Sequence, residues 1–340
     1  MMLNRRKKKK ISLLNCSGEG SFGGAITYTK YLIKALEHIG YDVSFVNHTK
    51  IGDPDAVIMV SIGIHGEKNP ENNKRRLENI NSKIGKIPFI LIRHGVTELR
   101  IFKSSYDFFK DKEFDLIVSV ENTESMFEHI KSNMKFKKLV YIGHPFEFTE
   151  SLSDKTEYKD WIASSARFAG CKNNDKVLEI ADAINPHKKF NIWGEEKGIY
   201  WFRAIKNSPF RNHSVFRGRY TDYREIYKDS AFGIDLTYIH NGKFVDSNRT
   251  QYTVIEAIDC GSIPIGFEVW KSEGGYEGVW LPSPTKNGNR IIYDINSMCE
   301  IIKNAHYSYD MAKYNYDLLS SLCDYRVIAG EFKRHLGEII

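Results

Sequence analysis

Four glycines separate the first apolar run of the chain from its first helical pattern, in the segment SGEGSFGGAITYTKYLIKAL. Glycine has no Cβ, so a turn built from it lets backbone N–H groups and a helix N-terminus face an anion. The spacing fits neither G-x-G-x-x-G nor G-x-x-x-x-G-K-S/T, which argues against a nicotinamide dehydrogenase or a P-loop kinase. We expect Gly23 and Gly24 to contact a phosphate or a substrate, and a simple βα loop is the alternative.

Two cations follow an apolar run near the middle of the chain. In DWIASSARFAGCK, Arg167 and Lys172 come after the hydrophobic stretch that ends near Ser164. Cations at the carboxyl end of a strand can hold a diphosphate and stabilise its charge as a leaving group without a metal ion. These two side chains are therefore candidates for catalysis, and a solvated loop is the alternative.

The most specific segment is NRTQYTVIEAIDCGSIPIGF, which predicts a helix that ends near Cys260 and Gly261 and leads into a strand. Glu256 lies one turn before the end of that helix, where its carboxylate can accept hydrogen bonds from ribose hydroxyl groups. For a glutamate considered alone, a surface acid on a helix is the simpler interpretation.

Short apolar runs alternate with helical patterns along most of the chain, which is the signature of parallel, doubly wound α/β sheets. A length of 340 residues suits two such domains. We predict a Rossmann-like domain over 1–148, a second one over 149–309 that faces it across a cleft, and a C-terminal helix over 310–340 packing back towards the first. Helices are expected at about 25–39, 175–184, 222–228 and 253–260, with helical periodicity from Ser297 onward.

Composition and charge exclude some classes of protein without choosing a function. Hydrophobic residues make up 41% of the chain, but no apolar run approaches the ~20 residues of a membrane span. The five cysteines are odd in number and form no C-x-x-C pair, which argues against a disulfide framework or a zinc site. The lysine-rich start lacks the apolar region of a signal peptide, so a cytoplasmic location is expected. The net charge of +6 permits a polyanionic partner.

Several of these segments stand together in an order that resembles a known family. The run VIEAIDCGSIPIGF looks like the helix and turn of the retaining GT-B glycosyltransferases of the glycogen-synthase-like group, and the glycine turn, SSARFAGCK, NIWGE and EIYKDSAFGIDLT precede it in the family's order. Within that group, DWIASSARFAG, QYTVIEAIDCGSIPIGFEVWKSEGG, NGNRIIYDINSMCEIIKNA and PFILIRHGVTELR are most similar to the DNA α-glucosyltransferases of T-even bacteriophages. The resemblance covers nearly the whole chain.

The resemblance implies a UDP-sugar as donor, with no cofactor required, and a product that keeps the donor's anomeric configuration. Glu256 would bind the ribose, Arg167 and Lys172 would bind the diphosphate, and His94 would approach the transferred sugar as a catalytic residue. The remaining donor-binding residues that the resemblance implies are Gly23, Gly24, Asn248, Arg249 and Gln251.

Two positions depart from the family's pattern. The first of its two paired acids corresponds to Asn248, which leaves the identity of the donor sugar open: glucose is favoured and a pentose is possible. The acid that follows the histidine in the phage enzymes corresponds to Gly95, so no catalytic base is assigned. Front-face displacement does not need one, because donor phosphate oxygens can help deprotonate the acceptor hydroxyl.

The implied acceptor is 5-hydroxymethylcytosine in double-stranded DNA, modified in the cytoplasm of a phage's host. The base would have to leave the stack, and clustered cations would contact the phosphates. Tyr106, Phe108 and Phe109 could stack on DNA, but their helical spacing is more typical of a core. The candidate DNA-binding residues are Arg75, Arg76, Arg93, Arg100 and Lys103, with solvated surface charges as the alternative for each.

Two other functions stay open. One keeps the fold and changes the acceptor, giving a bacterial glycosyltransferase of a cell-surface polymer, lipid or protein. The N-terminal lysines lack the apolar face that a membrane-binding helix would add. The other is a non-catalytic DNA-binding protein on the same fold, which would have no need of Arg167, Lys172 and Glu256 together.

Overall fold

The computed structural model divides the chain into two compact units. One comprises Met1–Glu147 together with Leu322–Ile340, and the other comprises Phe148–Ser321. No helix in the part of the chain that the structure describes is long and apolar enough to cross a membrane. The structure describes residues 8–15, 24–46, 51–61, 77–82, 86–94, 103–152, 155, 157–166, 172–184, 189–194, 214–217, 222–237, 251–288 and 290–340.

The first unit contains a parallel sheet of six strands and a short parallel pair. The sheet strands are β1 (Lys10–Asn15), β2 (Asp42–Val46), β3 (Ala56–Val60), β4 (Phe89–Arg93), β6 (Leu116–Ser119) and β8 (Leu139–Tyr141), and the pair is β5 (Glu113–Phe114) with β7 (Lys135–Phe136). The helices between them are α1 (Gly24–His38), α2 (Lys103–Phe109) and α3 (Glu124–Asn133). All five residues of β3 and of β4 are buried, as expected of central parallel strands covered on both faces.

Aromatic residues of α2 fill the core of the first unit. The ring of Phe89 lies 5.1 Å from that of Phe114 and 6.2 Å from that of Phe109. Tyr106 and Phe108 pack against the same cluster. Packing in the core, the alternative expected from helical spacing, is therefore confirmed for these aromatic residues of α2.

The second unit contains another parallel sheet of six strands and an antiparallel hairpin. Its sheet strands are β9 (Asp160–Ser164), β10 (Phe190–Gly194), β11 (Ser214–Arg217), β12 (Ser230–Ile234), β13 (Ile263–Phe267) and β14 (Val279–Leu281), and the hairpin is β15 (Thr285–Asn287) with β16 (Arg290–Ile292). Its helices are α4 (Asn174–Ile184), α5 (Arg224–Tyr227), α6 (Tyr252–Asp259), α7 (Lys271–Gly274), which follows a 3₁₀ turn (Glu268–Trp270), and α8 (Ile295–Lys303).

Two helices end the chain, α9 (Tyr309–Cys323) and α10 (Tyr325–Leu336), and the second of them belongs to the first unit. Between them, the backbone N–H of Phe146 donates to the carbonyl of Cys323 at 2.8 Å, and the N–H of Tyr325 donates to the carbonyl of Phe146 at 2.7 Å. Ile328 and Phe332 of α10 are buried. Residues from the two ends of the sequence therefore share one core, whereas residues 310–321 belong to the second unit.

Both sheets are doubly wound about their first strand, but their strand orders differ. The order is β2-β1-β3-β4-β6-β8 in the first unit and β11-β10-β9-β12-β13-β14 in the second. The chain therefore reverses its direction of travel across the sheet at β1 and again at β9. Ligands of open parallel sheets bind outside the carboxyl ends of the strands at such a reversal point. The fold offers one such edge in each unit.

The predicted elements agree closely with the observed ones. The helices expected at about 25–39, 175–184, 222–228 and 253–260 are α1, α4, α5 and α6, with ends that differ by no more than two residues. The helical periodicity from Ser297 onward corresponds to α8, α9 and α10. The predicted α/β class with two doubly wound, Rossmann-like sheets is confirmed.

Candidate functional site

Polar residues follow directly on the two central strands of the second sheet. Ser165 comes after β9, and Asp235 and Thr237 come after β12. Because β9 and β12 are parallel neighbours, their carboxyl ends lie side by side. We call this set of residues the carboxyl edge of the second sheet, and it is the reversal point of that sheet.

Lys172 lies at this edge, shortly before α4 begins. Its ammonium group donates to Oγ1 of Thr237 at 2.8 Å and to Oε1 of Gln251 at 3.0 Å, and it lies 3.7 Å from Oδ2 of Asp235. Only 11% of the lysine side chain is exposed. An ammonium group has three donors, and the third has no partner among the described residues. The lysine is therefore placed to bind an anion at the sheet edge.

Asp235 supplies the fixed negative charge beside the lysine. Its Oδ1 accepts hydrogen bonds from the backbone N–H of Thr237, at 2.8 Å, and from the Thr237 hydroxyl, and its Oδ2 accepts from the Thr253 hydroxyl. Burial opposes ionisation, but the charge of Lys172 and the threonine hydrogen bonds outweigh it, so the pKa of Asp235 lies below its ordinary value. Asp235 is therefore a carboxylate at neutral pH.

Glu256 comes to the same edge from α6. Its side chain is buried, and its Oε2 lies 3.5 Å from the Ser165 hydroxyl, which accepts a hydrogen bond from the Tyr227 hydroxyl at 2.9 Å. Helix α6 lies close to β12 because residue 233 is glycine: a Cβ there would come 2.5 Å from the Cβ of Ala257. Close packing thus fixes the height of Glu256 above the sheet.

Asn173 shapes the turn between Lys172 and α4. Its backbone φ of +50° is in the left-handed region, which asparagine tolerates better than most residues. Its amide nitrogen donates to the carbonyl of Leu236 at 2.6 Å, and its amide oxygen accepts from the Tyr293 hydroxyl at 3.0 Å. These bonds tie the turn that carries Lys172 to the end of β12.

The structure thus brings together three of the residues predicted for the donor site. Lys172 and Gln251 are in direct contact, and Glu256 lies on the helix that Gln251 precedes. Gly24 is the first residue of α1. Gly23, Arg167, Asn248 and Arg249 lie outside the described residues.

The carboxyl edge of the first sheet carries uncharged rings. His94 follows β4, and its ring lies 4.7 Å, edge to face, from Tyr28 of α1, which also contacts His144 at 5.8 Å. Burial, followed by the neighbouring charge of Arg93, lowers the pKa of His94 to about 4. Burial, followed by His94, lowers the pKa of His144 to about 3. Both imidazoles are therefore neutral at pH 7.

The prediction that Arg93 contacts DNA phosphates is wrong. Arg93 is the last residue of the buried strand β4, and none of its surface is exposed. A side chain enclosed in the first unit cannot reach a nucleic-acid backbone. Of the other predicted DNA ligands, Arg75, Arg76 and Arg100 lie outside the described residues, and Lys103 begins α2.

Sequence reasoning missed the residues that hold the predicted ones. Asp235, Thr237 and Thr253 were not singled out, although Asp235 follows a buried parallel strand directly. A polar residue at that position is the signal that could have found it, because the carboxyl ends of parallel strands line ligand sites. Among the described residues, no group of three or more His, Cys, Asp or Glu side chains is arranged to hold a metal ion.

Comparison with known proteins places the fold in a class. No family model and no curated protein matches the chain. Solved structures do match over nearly its whole length, and they are glycosyltransferases of the GT-B fold, which is built from two Rossmann-like domains. This chain has that fold.

Three of these structures show the range of the likeness. HepE from Anabaena, in complex with UDP and glucose, aligns with a TM-score of 0.67 over 97% of this chain and 100% of its own, at 11% identity. An alpha-glucosyltransferase in complex with UDP and a 13-mer DNA containing an HMU base aligns with a TM-score of 0.68 over 97% of this chain and 100% of its own, at 15% identity. AviGT4, a glycosyltransferase involved in avilamycin A biosynthesis, aligns with a TM-score of 0.61 over 97% of both chains, at 13% identity.

Proposed function

We propose that this chain is a retaining glycosyltransferase that moves a sugar, glucose rather than a pentose, from a UDP-sugar to 5-hydroxymethylcytosine in DNA. The observation that carries the proposal is the nearly enclosed ammonium group of Lys172 at the reversal point of the second sheet, beside the helix that bears Glu256. Structures of the same fold that contain UDP, and one that contains UDP and DNA, support it.

In this proposal the second unit binds the nucleotide. Lys172 and Arg167 bind the diphosphate, and the buried carboxylate of Glu256 accepts hydrogen bonds from the ribose hydroxyl groups. A carboxylate can accept from both hydroxyls of a ribose, whereas an ammonium group can only donate, which suits it to phosphate oxygens. Gly23, Gly24, Asn248, Arg249 and Gln251 complete the proposed donor site.

The proposed chemical step breaks one bond and forms one bond at the anomeric carbon of the donor sugar. The bond to the β-phosphate oxygen of UDP breaks, and the acceptor hydroxyl oxygen forms a bond to the same face of that carbon. The hydroxyl proton passes to a phosphate oxygen of the departing UDP. Lys172 and Arg167 stabilise the charge that develops on the diphosphate, which is the main contribution of the protein to the rate.

The first unit supplies the groups for the sugar and the acceptor. A neutral His94 can donate or accept a hydrogen bond with a sugar hydroxyl without adding a third positive charge to those of Lys172 and Arg167. Arg75, Arg76, Arg100 and Lys103 are the proposed contacts to DNA phosphates, and they would make binding dependent on salt.

The test is transfer of radiolabelled sugar from a panel of UDP-sugars, hexoses and pentoses, to matched duplexes that carry cytosine, 5-methylcytosine or 5-hydroxymethylcytosine. We expect transfer only to the hydroxymethylated duplex, and most efficiently from UDP-glucose. The anomeric configuration of the product, measured by nuclear magnetic resonance, should be that of the donor. Transfer with inversion would contradict the retaining mechanism.

A different acceptor remains the second candidate, because structures of the same fold include both a complex with DNA and an enzyme of avilamycin biosynthesis. UDP binding without transfer to any duplex would favour a bacterial glycosyltransferase of a cell-surface polymer, lipid or protein. DNA binding without any UDP binding would favour a non-catalytic DNA-binding protein.

A further inference from the structure

We propose that Asp235 is a positioning residue, which holds Lys172 and the start of α6 in the geometry that the departing diphosphate and the ribose require. The proposal rests on the proposed UDP-sugar transfer. It assigns a role to a buried carboxylate that would not itself touch the donor.

The carboxylate is held from several directions. Its Oδ1 accepts from the backbone N–H of Thr237 at 2.8 Å and from the Thr237 hydroxyl, and its Oδ2 accepts from the Thr253 hydroxyl. These donors belong to the segment after β12 and to the first turn of α6. A carboxylate with this many donors in a buried place has one orientation, so it can fix the position of a neighbouring group.

Lys172 depends on this carboxylate in two ways. Its ammonium group lies 3.7 Å from Oδ2 of Asp235, and it also donates to Oγ1 of Thr237 at 2.8 Å. A threonine hydroxyl has a single hydrogen, which Thr237 donates to Asp235, so towards the lysine it can only accept. The charge of Asp235 therefore acts on Lys172 directly and through Thr237.

This arrangement matters because lysine has a long, flexible stem. A free ammonium group would lose rotamer entropy when it bound a phosphate, whereas one that is already held by its surroundings loses less. Preorganised charge is also what stabilises a leaving group, because it needs no rearrangement during the reaction. Asp235 thus contributes to turnover through Lys172.

The same carboxylate orients the ribose ligand. Thr253 and Glu256 are three residues apart on α6 and so lie on the same side of the helix. The bond from Thr253 to Asp235 ties that side of α6 to the end of β12. Asp235 thus contacts Lys172 and is bonded to the first turn of the helix that carries Glu256. One buried carboxylate can therefore set the positions of both proposed donor-binding residues.

The test is a double-mutant cycle between Asp235→Asn and Lys172→Ala, measured as kcat and KM for the UDP-sugar. Asparagine keeps the size and one acceptor oxygen but removes the charge. We expect Asp235→Asn to lower kcat by about 30-fold, on the scale of lost oxyanion donors, with a smaller change in KM. In the Lys172→Ala background the same substitution should lower kcat by no more than about 3-fold, because residues that act through one another are not additive. Equal losses in both backgrounds would overturn the proposal.

Asp259→Asn is the matched control, because it also removes a buried carboxylate. Asp259 is the last residue of α6, whereas Asp235 is bonded to the first turn of that helix through Thr253. Asp259 accepts from the Tyr223 hydroxyl at 2.6 Å and from the backbone N–H of Thr149 at 2.8 Å. We expect this variant to melt at a lower temperature but to keep a kcat within about 3-fold of the unaltered chain, since the bonds that it loses are to Tyr223 and Thr149 and not to Lys172. A loss of kcat as large as that of Asp235→Asn would show that the effect is not specific to Asp235, and it would overturn the positioning role.

Thr253→Val provides a milder variant in case Asp235→Asn does not fold. It removes one hydrogen bond to Asp235 while keeping the shape of the side chain, and we expect a loss in kcat of about 5-fold that disappears in the Lys172→Ala background. An unchanged kcat in this variant would count against the role of Asp235.

The two proposals fail separately. If the unaltered chain transfers no sugar from any UDP-sugar, the proposed function fails. The same cycle can then be measured on UDP affinity by calorimetry, where coupling between Asp235 and Lys172 would support the positioning role. Independent effects on UDP affinity would overturn it.

Discussion

The carboxyl edges of the two sheets carry different groups, a cluster of neutral rings in the first unit and a buried ion pair in the second. In the first unit, the rings of His94, His144 and Tyr28 lie against one another, and burial keeps both histidines neutral. In the second, Lys172 and Asp235 form a buried ionic pair. A doubly wound sheet can therefore carry either neutral rings or an ion pair at its carboxyl edge, depending on which residues follow the strands. The charged edge suits a diphosphate, and the neutral edge suits a sugar or another uncharged group.

The largest effect is expected from removing the cation of the charged edge. Lys172→Ala should lower kcat by about 100-fold or more, on the scale of lost oxyanion donors, because it removes one of the two cations proposed to stabilise the departing diphosphate. The measurement is the rate of UDP release at saturating donor. Lys303→Ala is the matched control, since Lys303 lies on the surface of α8 and pairs there with Glu300 at 2.9 Å. Near-normal turnover in Lys172→Ala would show that this lysine does not stabilise the departing diphosphate. The difference in charge between the two edges would then have no bearing on turnover.

A second lysine tests whether the chemistry is confined to the carboxyl edge. Lys155 lies at the opposite edge of the second sheet and donates to the carbonyls of Tyr227 and Ser230 and to the Ser262 hydroxyl, at 2.8, 2.7 and 3.1 Å. Burial lowers its pKa to about 8, so it is still an ammonium group at pH 7. Lys155→Met should lower the free energy of unfolding by about 2 kcal/mol, because buried acceptors lose their donors.

Denaturant unfolding of Lys155→Met measures that loss, and kcat at a temperature well below the melting transition should stay near that of the unaltered chain. A large fall in kcat with unchanged stability would mean that both edges of the sheet take part in the reaction. A loss of kcat in Lys172→Ala would then no longer show that the chemistry is confined to the carboxyl edge.

The effect that is smallest at neutral pH concerns the two neutral histidines of the first unit, and it develops only in acid. The ordinary histidine pKa is 6.5, and the fold lowers it to about 4 for His94 and about 3 for His144. The folded state thus disfavours the charged rings. Their contribution to stability is complete above pH 6.5 and is lost as the pH falls towards 4, by roughly 3 kcal/mol for each ring.

Urea unfolding between pH 7 and pH 4 measures this slope. His144→Phe keeps a ring of similar shape and cannot be protonated, so it should make stability less dependent on pH over that range. His306→Phe, at an exposed histidine after α8, should leave the slope unchanged. An unchanged slope in His144→Phe would show that this ring is not held neutral by the first unit.

Patterns in the sequence predict most of the fold because they report local physics. The continuous apolar runs that became β3 and β4, and the helical periodicity of α1 and α4, follow directly from burial. Lys172 and Glu256 were found because motifs place them after a strand and on a helix. Contacts between distant segments could not be predicted in this way. Thr253 bonds to Asp235 across 18 positions of sequence, and no local pattern encodes that pairing.

Arg93 shows the limit of arguments from charge. Arginine is rarely buried, so a cation near the end of a strand is expected at the surface. Arg93 is instead the last residue of a buried strand, and its side chain is fully enclosed, which depends on tertiary structure. The positive charge of Arg93 also helps to keep His94 neutral, after the burial of the histidine itself, because a nearby cation disfavours a protonated ring.

The backbone bonds between Phe146 and the segment that joins α9 to α10 bear on the order in which the chain can fold during synthesis. Domains usually fold as units while the chain emerges from the ribosome, the N-terminal one first. Here the first unit lacks α10 and its share of the core until residues 322–340 have been made. The second unit, which is continuous in sequence, can therefore reach its final structure earlier. The part of the protein that is translated first is completed last.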